Sequence, residues 1–555
     1  MARADTTGPV PTAREPRRWH PAWLVVGASA WMASAGNVAL WRALAGLDSL
    51  RGPAAWLLGI ALGVAIAGAL TALLSLFAWR RTLKPVIAFL LLGAAVGAHF
   101  MLSYGVVLDP GMLTNTLQTN SREALDLLDL RFLATLLLLG VAPAVVVWRA
   151  PLQRAPAGRR ILQNLGLLAG GLAVVVASLL LAFQPLASTM RNHKALRYLI
   201  NPLNSLYSLG YVAAKPLRRD ETTLFPIGLD ATLGAPAGEA GKPPLLILVL
   251  GETARSDHFG LNGYARDTTP ELARENVVSF RNAWSCGTST ATSLPCIFSH
   301  LGRSDFEDRR HNHEGLLDVL HRAGLAVLWI DNQSGCKGAC DRVPEVQTWT
   351  EQDPALCSGG ECFDEIMLKG LGQRLAQLPA ERRARGVVVV MHQMGSHGPA
   401  YFKRSPPAFK RYTPECTSVA LQECTAAQVV NAYDNTIAYT DHFLAATIGW
   451  LKRQEDHAAP ALLYVSDHGE SLGEGNLYLH GLPYAIAPDA QKHVPWITWL
   501  SPAFQQRSGI KPACLRQRLD DPLSHDHYFH SVLGLLDVQT AVYQRSLDAY
   551  AACAE

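Results

Sequence analysis

Apolar residues crowd into the first third of this 555-residue chain and afterwards recur only in short bursts. Nearly uninterrupted apolar stretches run roughly over 22–44, 53–79, 85–107, 131–148 and 161–184, each close to or above the ~20 residues that cross a bilayer as a helix. Helices of a soluble bundle would keep a polar face, and FLLLGAAVG and LATLLLLGVAPAVVV have none. The pattern predicts five membrane helices. From residue 243 the rhythm changes. PLLILVL, LAVLWID, GVVVVMH, ALLYVSD and VPWITWL are strand-sized runs, separated by polar, helix-compatible segments such as EGLLDVLHRAG and VVNAYDNTIAYTDHFLAATIGWLKR. This alternation predicts a three-layer α/β domain with a mainly parallel sheet. The chain shows no internal repeat.

Between the two patterns, STMRNHKALRYLINPLNSLYSLGYVAAK mixes Arg191, Lys194 and Arg197 with Leu196, Tyr198, Leu199, Leu206 and Tyr207. Such a mixture predicts one or two helices lying on a membrane surface. GAPAGEAGKPP then reads as a linker. The expected organisation is a membrane domain over 1–184 with an outer loop at 108–130, an interfacial and linker segment over 185–242, and a soluble domain over 243–555.

Charge orients the spans. Arg14, Arg17 and Arg18 precede the first, Arg80, Arg81 and Lys84 follow the second, and Arg149, Arg154, Arg159 and Arg160 follow the fourth. The alternate loops carry Asp48 with Arg51, and Asp109, Glu123, Asp126 and Asp129 against Arg122. The positive-inside rule puts the N-terminus in the cytoplasm and everything after about residue 185 outside. A cleavage-like A-x-A at Ala33 to Ala35 is discounted because GNVALWRAL continues the apolar run, and cleavage would leave the soluble domain on the same side. A net charge of +3 without a basic stripe sets nucleic acid aside. All ten cysteines lie between Cys286 and Cys553, in the outer part, which suits disulfides of an oxidising compartment. Spacing does not fix connectivity; chain proximity suggests Cys286 with Cys296, Cys336 with Cys340, Cys357 with Cys362, Cys416 with Cys424, and Cys514 with Cys553 by elimination. No C-x-x-C occurs, which disfavours a zinc ribbon.

Four segments place reactive side chains where apolar runs stop or begin: Gly-Glu252-Thr, Cys286-Gly-Thr-Ser-Thr290, Gly-Ser-His397-Gly-Pro and Ser-Asp467-His468-Gly-Glu. Open α/β sheets bind ligands beyond the carboxyl ends of their strands. Glu252, Asp467 and His468 form an oxygen and nitrogen donor set suited to Zn²⁺, with Mn²⁺ also compatible by ligand type. Thr290 is the candidate nucleophile, at the start of a predicted helix whose free N–H groups attract an anionic phosphate. Thr288, Ser289, Thr292 and Ser293 are chemical alternatives, and such clusters also serve as helix caps. His397 and His480 can bind phosphate when charged or move protons when neutral. His392, His442, His493, His525, His527 and His530 lack such motif context and read as structural. In the outer loop, Asn115, Thr119 and Glu123 recur every fourth residue, lining one helix face that could hold an ammonium group and head-group oxygens.

In order, GETARSDHFGLNGY, CGTSTATSLPC, MGSHGP, SDHGESLGE and YLHGLP, with five spans and the closing LSHDHYFHSVLGLLDVQTAVY, resemble the membrane-bound phosphoethanolamine transferases of Gram-negative envelopes. These include the lipid A modifying enzymes behind polymyxin resistance. The resemblance implies an alkaline-phosphatase-like fold and a zinc ion held by Glu252, Thr290, Asp467 and His468, with Thr290 also the nucleophile. It further implies that His397 and His480 hold substrate phosphate or a second zinc, that Asn115, Thr119 and Glu123 bind the lipid donor, and that Ser334 and Lys337 hold phosphate. Gln333 departs from the family, whose members often carry Asn there, which bears on the fine geometry of that contact. The implied reaction carries phosphoethanolamine from phosphatidylethanolamine to a lipopolysaccharide glycolipid, foremost a lipid A phosphate, in a monomer of the bacterial inner membrane with a periplasmic catalytic domain. Rival readings are transfer to a core sugar or another envelope glycan, hydrolysis of a phospholipid head group, and a non-enzymatic lipid-binding scaffold. A sulfatase is disfavoured because no C/S-x-P-x-R surrounds Thr290.

Overall fold

The computed structural model describes residues 18–47, 52–118, 127–218, 220–234 and 241–554. They divide into two compact units, 1–102 with 130–205, and 103–129 with 206–555.

The first unit is helical. Five helices are long and apolar enough to cross a membrane: Pro21–Ala45, Ala55–Ser75, Leu83–Ser103, Leu130–Arg149 and Ala157–Leu181. Trp56, Leu138, Leu162 and Leu180 are exposed on their outer faces, a surface that needs lipid rather than water against it. The second and fifth spans meet at small residues, where a Cβ on Gly171 would stand 2.8 Å from the carbonyl oxygen of Gly68. Backbones approach this closely only where side chains are absent. After the last span come the helix Phe183–Asn192 and the short turn Lys194–Leu199, and buried Asn201 fastens this stretch to the first span. Its N–H donates to Asn37 Oδ1 at 2.9 Å and its side-chain amide to the Gly36 carbonyl at 2.9 Å.

The second unit is built on an eight-stranded sheet: β1 (Pro244–Gly251), β2 (Val278–Trp284), β3 (Ala326–Asp331), β4 (Glu345–Gln347), β5 (Val387–His392), β6 (Ala459–Ser466), β7 (His493–Leu500) and β8 (Leu523–Ser524). Their spatial order is β8-β2-β7-β6-β1-β5-β3-β4. The run β6-β1-β5-β3-β4 is parallel, and β7 pairs antiparallel with both β6 and β2. All eight residues of β1 and of β6 are buried, because a sheet covered on both faces needs no polar alternation. Leu246, Leu248, Leu250, Val390 and Leu463 pack on one side with helices α2 (Thr290–Ile297), α3 (Leu316–Arg322) and α5 (Tyr528–Leu535). Ile247, Val249, Val389 and Leu462 pack on the other with α4 (Ala426–Lys452). α4 starts at Thr425, whose capping box with Gln428 satisfies its first free N–H groups.

Two further features fix the surroundings of the strand ends. Five disulfides join Cys286 to Cys296, Cys336 to Cys340, Cys357 to Cys362, Cys416 to Cys424 and Cys514 to Cys553. The outer-loop helix α1 (Pro110–Gln118) lies against α2. The chain leading into it is tied down where the Tyr478 N–H donates to the Tyr104 carbonyl at 2.9 Å.

Candidate active site

Four neighbouring parallel strands end at one edge, and each delivers part of the site. β1 delivers Glu252, β6 delivers Asp467 and His468, β5 leads to His397, and β3 leads to Gln333, Ser334 and Lys337. β2 runs the same way as β6, since two antiparallel pairings with β7 separate them, so the loop 285–289 carries Thr290 to the same edge.

Local backbone choices aim these groups. Thr253 takes φ 52°, a left-handed conformation that is costly for a β-branched residue. Its N–H donates to Asp467 Oδ1 at 3.2 Å, and its carbonyl accepts the Tyr433 hydroxyl of α4 at 2.7 Å. Asp467 Oδ1 also accepts the His468 N–H at 2.7 Å. Gly395 has φ 53°, and a Cβ there would lie 2.8 Å from the Glu252 carbonyl oxygen. Its N–H and that of Met394 donate to the buried Asp364 carboxyl at 3.0 and 2.8 Å. Burial raises the pKa of Asp364 against the lowering effect of those donors.

Thr290 is the first residue of α2 and is buried. Its hydroxyl donates to Glu252 Oε2 at 3.0 Å and lies 3.3 Å from His468 Nε2. Among the neighbouring hydroxyls, Thr288 instead donates to the Leu482 carbonyl at 2.6 Å and Ser289 turns to Thr292 at 3.4 Å.

The donor set fits a divalent cation on electrostatic grounds. Ligand atoms of Glu252, Asp467 and His468 lie within 4.8 Å of one another, and all three residues are buried. His468 Nδ1 lies 2.9 Å from the Gly469 carbonyl, an acceptor only, so Nδ1 carries the proton. Burial, then His480, holds His468 well below the usual histidine range, so the ring is neutral and Nε2 is a bare lone pair. That lone pair faces Asp467 Oδ2 at 3.2 Å and Glu252 Oε1 at 3.5 Å. Burial also raises the Asp467 pKa. Three converging acceptors repel one another unless a cation sits among them.

Around this cluster, His480 Nδ1 meets Glu470 Oε2 at 3.0 Å, and its ring centroid is 4.4 Å from His468 and 5.7 Å from His397. Burial, then His480, lowers the His397 pKa well below the ordinary value. Lys337, at φ 49°, donates from Nζ to Ser334 Oγ at 3.0 Å, to the Ser334 carbonyl at 2.9 Å and to the Gln118 carbonyl at the end of α1 at 3.3 Å. Asn115 stands half-buried on α1. Thr119 and Glu123 lie outside the described residues.

One histidine read from the sequence as structural, His525, becomes a bridge in the fold. His525 accepts the Cys286 N–H on Nδ1 at 2.9 Å and meets the Ser466 carbonyl through Nε2 at 3.0 Å. It therefore clips the loop 285–289 to the strand that leads to Asp467. Its partners are backbone groups from distant segments, so no local spacing marks it. The cluster SHDH was the only available signal.

Comparison with known proteins identifies the family of the chain as a whole. A family model described as phosphoethanolamine transferase EptA/EptB matches residues 66–217, and the sulfatase model matches 244–538. The phosphoethanolamine transferase EptA of Salmonella typhimurium is 41% identical over 491 residues, 86% of this chain and 87% of that protein. The phosphatidylethanolamine transferase Mcr-1 of Escherichia coli is 38% identical over 495 residues, 87% of this chain and 89% of that protein. The integral membrane lipooligosaccharide phosphoethanolamine transferase A of Neisseria meningitidis superposes with a TM-score of 0.91 at 34% identity, covering 97% of this chain and 100% of that one. The similarity runs along nearly the whole length, over the five apolar helices and the sulfatase-like domain alike, and the chain belongs to the membrane phosphoethanolamine transferases.

Proposed function

We propose that this enzyme moves phosphoethanolamine from phosphatidylethanolamine to a phosphate of lipid A through a phosphoethanolamine-threonine at Thr290. One observation carries the reading: the Thr290 hydroxyl, 3.0 Å from Glu252 and 3.3 Å from His468, sits at the start of α2 within the metal-competent cluster. Glu252, Asp467, His468 and Thr290 would hold a zinc ion, which supplies Lewis-acid stabilisation of the threonine alkoxide and of the phosphoryl oxygens. Mn²⁺ shares the ligand types, but a compact four-ligand set with an imidazole favours zinc.

Thr290 Oγ gives up its proton to Glu252 Oε2, which accepts its hydroxyl at 3.0 Å, and attacks phosphorus as the bond to the diacylglycerol oxygen breaks. The free N–H groups of α2 and the Lys337 ammonium offset charge on the equatorial oxygens. Either His397 or His480 can hand a proton to the departing oxygen. His480 is the better placed, because Glu470 at 3.0 Å stabilises its charged form, whereas burial keeps His397 neutral. A lipid A phosphate oxygen then attacks the intermediate, and the phosphorus–Oγ bond breaks to restore Thr290. Asn115, Thr119 and Glu123 would receive the ethanolamine ammonium and head-group oxygens, with Ser334 and Lys337 on the phosphate.

The reaction places the soluble unit in the periplasm and the N-terminus in the cytoplasm, as the loop charges require. The product carries an added ammonium that masks lipid A charge and weakens adsorption of cationic peptides such as polymyxin. Mass spectrometry of lipid A and core sugars from a Gram-negative host expressing wild type or Thr290→Ala tests the reading. Wild type should add phosphoethanolamine to lipid A, and the variant should lose more than about 1,000-fold of that activity. Decorated heptose with unmodified lipid A would redirect the acceptor. Free phosphoethanolamine as the main product, or full activity in Thr290→Ala, would overturn the proposal.

A further inference from the structure

We infer that Gln333 is a positioning residue that couples the metal-facing carboxylate of Glu252 to the phosphate-holding pair Ser334 and Lys337. The inference rests on the function proposed above and adds a link between its two halves.

β3 ends at Asp331, whose Oδ1 accepts the N–H of Gln333 at 2.9 Å and of Gly335 at 3.1 Å. That turn swings the Gln333 side chain inward, where the residue is buried. Its Nε2 donates to Glu252 Oε2 at 3.1 Å, the same oxygen that accepts the Thr290 hydroxyl. Its Oε1 accepts both the N–H and the hydroxyl of Ser334. Ser334 Oγ in turn accepts from Lys337 Nζ at 3.0 Å. The amide can face only one way. Turned over, its NH₂ would meet the Ser334 N–H while its oxygen met a carboxylate.

Every donor in the chain Lys337 to Ser334 to Gln333 to Glu252 therefore points the same way, an arrangement in which each bond polarises the next. A phosphate drawn to Lys337 competes for the ammonium at one end of this chain, and Glu252 feels the change at the other. By linkage, donor binding and metal binding then shift each other. An asparagine is one methylene shorter, about 1.5 Å, and cannot reach Glu252 and Ser334 together from this backbone.

Zinc affinity measured by chelator competition on the purified full-length protein tests the coupling, with unfolding temperature and lipid A modification followed in parallel. Gln333→Leu should weaken zinc binding by about 10- to 100-fold. Gln333→Asn, which keeps a polar side chain and serves if the leucine variant does not fold, should weaken it in the same direction. Ser334→Ala removes no atom that touches Glu252, yet it should weaken zinc binding in the wild-type background and have no added effect on top of Gln333→Leu. Unchanged zinc affinity in the Gln333 variants, or a Ser334→Ala effect that simply adds, would overturn the inference while leaving the transferase reading intact. A wild-type protein that modifies lipid A without holding zinc would instead remove the cofactor assignment, and this coupling with it.

Discussion

Two kinds of residue make the site, those whose chemistry shows in the sequence and those whose only visible trait is size or place. Glu252, Asp467 and His468 belong to the first kind, because a carboxylate or imidazole ending a strand-like run is legible as a ligand. Thr290 is legible in the sequence as the first choice among five hydroxyls, with the other four left open as alternatives. Its distinction from Thr288 and Ser289 comes from the bonds those side chains make elsewhere. Gly395 belongs to the second kind. In the sequence it is part of MGSHGP, but in the fold its left-handed backbone lets the 393–397 loop press against Glu252. Gly395→Ala should cost about 1–3 kcal/mol from the forced backbone conformation alone. It should also push the Glu252 carbonyl aside. A lower unfolding temperature together with weaker zinc binding is the expected result, and a variant unchanged in both would show that the loop has room to relax.

At the scale of elements, the strand-like runs predict β1, β3, β5, β6 and β7, while β2, β4 and β8 escape because they are short or mixed in pattern. The missed β2 is consequential, since its loop leads to Thr290, the proposed nucleophile. That loop is held twice, by the Cys286–Cys296 disulfide into α2 and by the His525 bridge. Replacing both cysteines with serine should remove about 2–4 kcal/mol of stability and also misplace Thr290, where errors near 1 Å cost about 100-fold in rate. Replacing Cys514 and Cys553 should lower stability without that loss of rate, because this pair staples the far end of the chain. Transferase rates and unfolding temperatures of the two double variants separate the effects; equal rates would deny the loop before Thr290 any special need of its staple.

For the whole molecule, burial sets an acid limit. It pushes His525, and likewise His300 and His530, down to about 4. The unfolded chain, with histidines near 6.5, then binds more protons than the fold between those values. The stability these residues allow is fully present above about pH 6.5 and is lost as pH falls toward about 4. Asp441, raised to about 6 by burial, works the other way and gains stability as pH falls through 6. The histidine contribution is acid-labile, with His313, His321 and His527 lowered by burial in the same direction, so the unfolding temperature should be lower at about pH 5 than at about pH 7.5; a flat or rising profile would show that the carboxylates raised by burial outweigh these histidines. By itself the sequence determined the spans, the alternating α/β rhythm, the family and the carboxylate and imidazole candidates, because composition, period and motif are local properties of a chain. Only the tertiary structure decided that Glu252, Thr290, Asp467 and His468 meet, that α1 packs on α2, and that Gln333 and His525 reach across the site. Those contacts depend on the strand order β6-β1-β5-β3 and on the crossovers between its strands, which no stretch of sequence encodes locally.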